Sequence, residues 1–138
     1  MTPKDLMIGD WVISDIHGQG KVTKIQMGDN GNFIEMALDK SSKKVLYGDS
    51  YFEPIPLTRE ILKKNDFEGD RIMEYRFEED GETYNLYLKE MYNRDGEQDS
   101  WGTSIGGVLP SVVMYVHELQ HILRLAGLKE KADNFKIK

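Results

Sequence analysis

The sequence of 138 residues contains no cysteine. This absence excludes both a disulfide framework and a zinc site made of thiolates. No apolar segment approaches the length of a membrane-spanning helix. Residues 1–6 also lack the apolar core of a secretion signal. We therefore expect a cytoplasmic protein that makes no contact with a membrane.

Positive charge is the next quantity in short supply. The chain has 18 lysines and arginines against 24 aspartates and glutamates, a net charge of −6 at pH 7, and its pI is about 5.1. A nucleic-acid binder needs a cationic surface to displace counterions from phosphates. The acidic balance disfavours nucleic acid as a partner.

Two catalytic signatures are missing in the form that catalysis needs. No glycine-rich loop is followed by Lys-Ser or Lys-Thr, so the phosphate loop of nucleotide-binding enzymes is absent. The letters Gly-Thr-Ser-Ile-Gly at 102–106 fit G-x-S-x-G, but Ser104 falls within a predicted strand and not on the sharp strand-to-helix turn of a nucleophile elbow. The sequence therefore gives no evidence for a phosphate-loop enzyme or a serine hydrolase.

The first part of the chain, residues 6–55, consists of short apolar segments separated by turn residues. Residues 21–27 alternate polar and apolar side chains, which is the pattern of a half-buried strand. The segment 28–31 reads Gly-Asp-Asn-Gly, a strong turn signal. Five such strands in about fifty residues predict an SH3-like small β-barrel as a first domain, residues 1–56.

The remainder, residues 57–138, is predicted to form a second domain. Thr58 is a good N-cap for a short helix at 59–64, and Asn65 is suited to a left-handed conformation at its end. Residues 71–105 predict an antiparallel meander, with Asp-Gly at the centre of one turn.

A long C-terminal helix is predicted after the meander, from Pro110 or Ser111 to a stop at Gly127. Its apolar side chains fall on one stripe at 100° per residue and are expected to pack on the meander. The tail, residues 128–138, is charged and expected to pack weakly. The predicted fold class is thus α+β. The stripe consists of Val112, Val116, Leu119, Leu123 and Ala126.

This helix contains the segment His-Glu-Leu-Gln-His, which fits the H-E-x-x-H motif of zinc peptidases. His117 and His121 lie one turn apart and could bind one zinc ion. Glu118 stands where a peptidase places the carboxylate that activates water. The helix geometry therefore permits a zinc hydrolase.

The surroundings of the motif favour a plain packing helix instead. A catalytic zinc ion needs three protein ligands, and Glu130, Asp133 and His17 are the only candidates for the third, none at a diagnostic spacing. Arg124 lies on the same side as His121, where its charge would repel a divalent metal. The main prediction is accordingly no catalytic residue and no cofactor, with zinc held by His117 and His121 as the alternative.

Aromatic side chains supply a different kind of candidate site. Trp11, Tyr47 and Tyr51 are predicted to form an interaction surface on the first domain, since aromatic residues dominate binding hot spots. The partner would be a protein that the sequence does not identify, and the oligomeric state is likewise not set by the sequence.

The segments 54–67 and 115–127 together resemble a family of small uncharacterised proteins encoded by phages, prophages and mobile elements of gut anaerobic bacteria. The resemblance extends from Gly9-Asp10 to Gly127. It implies a small β-rich part followed by this helix, with no established activity. In such proteins the position of Glu118 is often glutamine, which implies that no catalytic base is required there. The sequence thus favours a non-enzymatic protein-interaction module, with the zinc hydrolase as the alternative.

Overall fold

The computed structural model describes residues 5–39, 41, 43–105 and 108–138. By its contacts the chain divides into two compact units. Unit 1 contains Met1–Pro56 and Tyr115–Asn134, and unit 2 contains Leu57–Met114 and Phe135–Lys138. The predicted domains, residues 1–56 and 57–138, are segments that would fold independently, and this division stays a prediction.

Unit 1 is built on a five-stranded antiparallel sheet. Its strands are β1 (Trp11–Ser14), β2 (Gly18–Gly28), β3 (Gly31–Leu38), β4 (Lys44–Gly48) and β5 (Phe52–Pro54). They lie in the order β4-β3-β2-β1-β5. Apolar side chains of these strands, together with Leu6 from the segment before β1, form a core whose buried members are Leu6, Val12, Val22, Ile34, Met36 and Phe52.

One glycine of this sheet is required by a close approach of two strands. A Cβ atom added to Gly20 would lie 2.4 Å from the backbone oxygen of Ala37 and 2.5 Å from Cγ of Met36. No side chain fits there, so β2 and β3 can approach closely at this point only with glycine.

The prediction of a closed SH3-like barrel is wrong. The sheet is open, because its edge strands β4 and β5 are not hydrogen-bonded to one another among the described residues. A 3₁₀ turn at Asp49–Tyr51 joins them, and β5 is only three residues long. It ends at Pro54, which has no amide to donate to a neighbouring strand.

Unit 2 begins with helix α1 (Arg59–Lys64) and continues into a second five-stranded antiparallel sheet. Its strands are β6 (Glu68–Gly69), β7 (Ile72–Glu79), β8 (Glu82–Tyr92), β9 (Gln98–Ile105) and β10 (Val108–Val113). They lie in the order β10-β9-β8-β7-β6. The fold class is therefore mostly β, with three short helices in the described residues, and the α+β prediction is corrected accordingly.

Local signals in unit 2 were mostly reliable. The side chain of Thr58 accepts a hydrogen bond from the backbone N of Ile61 at 3.3 Å, which confirms the predicted N-cap. The Asp-Gly turn is confirmed, with φ of 52° at Asp80 and 80° at Gly81. The left-handed residue after α1 is Asp66, with φ of 70°, rather than Asn65.

The prediction of a long C-terminal helix is also wrong. Helix α2 spans Val116–Leu125, ten residues, and the preceding segment is strand β10. β-Branched side chains such as Val112 and Val113 fit a pleated strand well, and Pro110 is tolerated at a sheet edge. Tyr115 is extended, with φ of −126° and ψ of 154°, and begins the helix as its N-cap.

Helix α2 was predicted to pack on the meander, but it belongs to unit 1, where it contacts α3 (Lys129–Asp133) and β1. The tail is better packed than expected. Phe135 and Ile137 are buried, and the side chain of Asn65 bonds the backbone N and O of Lys136 at 2.8 and 2.7 Å. Among the described residues, no helix is both long and apolar enough to cross a membrane.

Candidate functional site

The polar side of α2 contacts one buried carboxylate, that of Asp10, which directly precedes β1. Asp10 is fully buried, and its Oδ1 lies 2.6 Å from Nη1 of Arg124. Its Oδ2 lies 2.6 Å from Nε2 of His121 and accepts from the backbone N of Met7 at 2.8 Å. An isolated buried charge is very costly, whereas three donors compensate it. These contacts, which we call the Asp10 clasp, join α2 to the start of the first sheet.

Gln120 adds a neutral connection between the same elements. Its Oε1 accepts from the backbone N of Trp11 at 2.9 Å. Its Nε2 donates to the backbone oxygens of Gly9 and Ala132, each at 3.0 Å. Gln120 is completely buried, and these three bonds satisfy the polar atoms of its own side chain.

Glu118, the candidate catalytic base, caps its own helix. A side-chain oxygen of Glu118 accepts from the backbone N of Tyr115, the N-cap residue, at 3.0 Å. A carboxylate at the third helical position satisfies an amide at the helix start and interacts favourably with the helix dipole. The position of Glu118 therefore has a structural explanation that requires no water activation.

His117 is buried beside the clasp. Its ring stacks on Tyr115 with centroids 6.0 Å apart and meets the ring of His121 edge-on at 5.6 Å. Nδ1 of His117 is buried and has no hydrogen-bond partner among the described residues. Burial lowers the pKa of His117 below its ordinary value of 6.5, although the nearby charge of Asp10 acts in the opposite direction.

We expect the free energy of unfolding to fall as the pH drops below about 6.5, the ordinary pKa of histidine. Because the pKa of His117 is lowered in the folded state, the unfolded chain binds a proton at this histidine more readily than the folded chain does. The contribution of neutral His117 to the free energy of unfolding is therefore complete above about pH 6.5 and is lost as the pH falls below it. The contribution of one proton is at most about 1.4 kcal/mol per pH unit. Urea unfolding of the wild type and of His117→Asn at a series of pH values measures it. The variant should show a shallower slope between pH 5 and about 6.5, and an identical slope would refute the role of His117.

The metal-ligand candidates do not converge in the described part of the chain, where no group of three His, Asp or Glu side chains could hold an ion. His117 and His121 are neighbours, but Nε2 of His121 is engaged by Asp10. Of the proposed third ligands, Asp133 lies near Arg124 and Lys129, at 3.6 and 3.8 Å.

The other two candidates for the third ligand do not join the pair. Nε2 of His17 lies 3.0 Å from the hydroxyl of Tyr47, with which it forms a hydrogen bond. Glu130 is exposed in the first turn of α3. The residues present therefore fit a structural clasp better than a zinc centre with three protein ligands.

The predicted aromatic surface is divided by the fold. Trp11 is buried, with 6% of its surface exposed, and Nζ of Lys21 lies 5.2 Å from the centroid of its ring. Tyr47 and Tyr51 lie together, with ring centroids 5.7 Å apart, and Tyr51 is 52% exposed. The partly buried Tyr47 and the exposed Tyr51 thus form a small aromatic cluster with His17, without Trp11.

Unit 2 carries a surface feature that is not among the sites predicted from the sequence. An open, mostly apolar groove of about 480 Å³ runs across the outer face of its sheet. Ile72, with 50% of its surface exposed, and Val112, with 55%, lie on this face. The lining comes from four adjacent strands and consists of Ile72, Tyr87, Lys89, Met91, Gly102, Thr103, Ser104, Ser111 and Val112.

Strand register explains the shape of this groove. One row across the sheet pairs Ile72 with Lys89, Lys89 with Gly102, and Gly102 with Val112. Gly102 contributes no side chain, and a Cβ added there would only reach contact distance from Sδ of Met91, at 3.4 Å. The groove therefore has its depression at Gly102. Alternation places the intervening residues on the opposite, buried face, among them Met73, Leu88, Trp101 and Val113.

The groove left a weak signal in the sequence. Strand β8 has apolar residues on both faces, since Leu86 and Leu88 alternate with Tyr87 and Met91. Apolar residues on both faces of a strand indicate that the second face, too, contacts other apolar groups. The sequence predicts a helix at Val112, on the far side of the groove, and therefore does not connect this residue with the outer face of β8.

No known family model, curated protein or solved structure matches this chain. The site residues themselves are therefore the basis for a function.

Proposed function

We propose that the chain is a non-enzymatic protein-interaction module acting in the cytoplasm, of the phage or mobile-element type that its sequence resembles. The observation that carries this proposal is the apolar groove on the outer face of the second sheet. The inner face of that sheet already forms a core, so folding of unit 2 does not account for the apolar side chains outside. Contiguous exposed apolar surface of this kind marks binding sites.

The dimensions of the groove agree with a binding role. Its volume of about 480 Å³ lies within the range of roughly 300–1,000 Å³ typical of ligand sites. It is built on strands, which hold side chains more firmly than loops do. Apolar walls at Ile72 and Val112, with the hydroxyl of Ser104, offer both contact area and a hydrogen-bonding group.

The side chains of the His-Glu-Leu-Gln-His segment form contacts that stabilise the fold. Glu118 caps α2, while His121 and Arg124 hold Asp10. A catalytic base needs access to a reacting proton and a nucleophile needs an activating partner. These side chains are engaged with the protein itself, which supports a binding function over a hydrolytic one.

Filling the groove should weaken binding. Gly102→Leu places an apolar side chain in the depression, at a position where the added Cβ finds space. We expect peptides selected against the full chain from a random linear library to bind at least about tenfold more weakly, a loss of about 1.4 kcal/mol. Fluorescence polarisation with the labelled peptides measures the change in Kd.

The matched control is Gly28→Leu, another strand glycine with open space, where the nearest heavy atom to an added Cβ is the oxygen of Gly31 at 3.8 Å. Its peptide affinity should equal that of the wild type. If no peptide is enriched, or if Gly102→Leu binds as tightly as Gly28→Leu, the groove is not the binding surface.

The alternative is a small zinc hydrolase that uses His117 and His121 as ligands and Glu118 as base. It is favoured by the short separation of the two rings and by the unpartnered Nδ1 of His117. Zinc that binds the folded state raises the melting temperature. A rise in the wild type that is absent in His121→Asn would support this alternative, and equal melting temperatures with and without zinc would reject it.

A further inference from the structure

The groove on unit 2 has one charged side chain among its nine lining residues. That residue is Lys89, which is exposed and lies at the middle of the outer face of β8. In the register it stands between Ile72 on β7 and Gly102 on β9. A lysine stem can cover apolar surface while its ammonium group stays at the rim. The groove thus combines apolar walls with a single positive charge.

We infer that the occupant of the groove is a short peptide segment of a partner protein, with apolar side chains over Gly102 and one carboxylate on Nζ of Lys89. This inference rests on the proposed function. No lining residue is acidic, so the ammonium group of Lys89 has no opposite charge within the groove itself. A carboxylate brought there by the occupant forms a charge-assisted hydrogen bond in a partly desolvated place, where such bonds are strong.

The polar atoms at one end of the groove favour a peptide over an acyl chain. Ser104 offers a hydroxyl group, and β10 is an edge strand of its sheet. Backbone amides and carbonyls of a peptide can use such groups, and exposed sheet edges commonly bind extended segments. An acyl chain has no hydrogen-bonding atoms along its length.

The charge of the groove and of the whole chain also argues against an anionic membrane and a second copy of the chain as occupants. An anionic membrane attracts clusters of basic residues, whereas this groove has one lysine in a chain of net charge −6. A second copy packed by a two-fold axis through this face would bring two Lys89 side chains towards each other, and like charges at an interface are unfavourable.

The experiment compares selected peptides with their amide counterparts on three proteins. Each Asp or Glu of the tightest-binding peptide is changed to Asn or Gln, and binding is measured by fluorescence polarisation to the wild type, Lys89→Met and Lys24→Met. Lys24 is an exposed lysine on strand β2 and is the matched control. We expect one amide peptide to bind the wild type and Lys24→Met about tenfold more weakly. Lys89→Met should weaken the original peptide to the same extent, with no further loss for the amide peptide.

The outcomes separate this inference from the proposed function. If Gly102→Leu abolishes binding while Lys89→Met and the amide peptides bind normally, the groove binds peptides but Lys89 does not select a carboxylate. If phosphatidylglycerol vesicles bind in a Lys89-dependent manner and the peptides do not, the occupant is a membrane. If sedimentation equilibrium shows a dimer that Gly102→Leu dissociates, the occupant is a second copy. Each of these three results overturns the inference.

Discussion

Asp10→Asn is expected to lower the free energy of unfolding of unit 1 by about 3–5 kcal/mol, the usual cost of removing one partner of a buried ion pair. The substitution preserves the size of the side chain but removes its charge. Arg124, whose side chain is only 14% exposed, then keeps its own charge but loses its carboxylate partner at 2.6 Å and retains only the longer contact with Asp133, at 3.6 Å. The bonds from His121 and from the backbone of Met7 lose a charged acceptor as well.

Urea unfolding of the wild type and of Asp10→Asn measures this effect. Asp29→Asn is the control, because Asp29 is exposed in the turn between β2 and β3, and asparagine suits a turn. The control should change stability by less than about 0.5 kcal/mol. A loss below about 1 kcal/mol for Asp10→Asn would mean that the clasp contributes no more than an exposed ion pair.

Trp101→Ala is expected to destabilise unit 2 by about 3–5 kcal/mol, as is usual when a large buried aromatic side chain is truncated. Trp101 is 1% exposed on the inner face of the second sheet. Its Nε1 donates to the backbone oxygen of Leu57 at 3.1 Å, which fixes the chain just before α1. The alanine variant loses both the packing and this hydrogen bond.

Trp101→Phe separates these two contributions. Phenylalanine keeps most of the apolar contacts and removes the donor, so about 1–3 kcal/mol should be lost through the unpaired oxygen of Leu57 and the smaller ring. It also leaves Trp11 as the only tryptophan, so the fluorescence of this variant reports on unit 1 alone. Hydrogen exchange of the β8 and β9 amides then measures unit 2. Equal stability of Trp101→Ala and Trp101→Phe would contradict the packing explanation.

Local features of the fold could be predicted from the sequence where one residue type dominates the choice of conformation. Thr58 was correctly identified as a cap because its hydroxyl can bond an amide two or three residues on. Asp80 and Gly81 form the expected turn because both can adopt positive φ at low cost. These signals act within a few residues and do not depend on the rest of the chain.

The errors in the fold arise where tertiary pairing decides. Val112 fits the apolar stripe of a helix as well as it fits a strand, and only pairing with Gly102 on β9 selects the strand. Likewise, closure of the first sheet into a barrel depends on pairing between its edge strands. Period and composition are the same in an open and a closed sheet of this length.

The candidate sites show the same division. The helix spacing correctly brought His117 and His121 together, but it gave no sign of Asp10, which lies 111 residues from His121. Arg124 was expected to disfavour a metal, and its structural role is to bind that distant carboxylate. The groove at Gly102 was missed because its row is assembled from four strands, and no single segment contains its pattern.

The coupling free energy between Asp10 and Arg124 is the most direct test of the claim that the His-Glu-Leu-Gln-His helix serves the fold. It is obtained from urea unfolding of Asp10→Asn, Arg124→Met and the double variant. We expect the double variant to be more stable than the sum of the single losses implies, with a coupling of at least about 1.5 kcal/mol, because it no longer buries an unpaired charge. A coupling near zero would contradict the clasp.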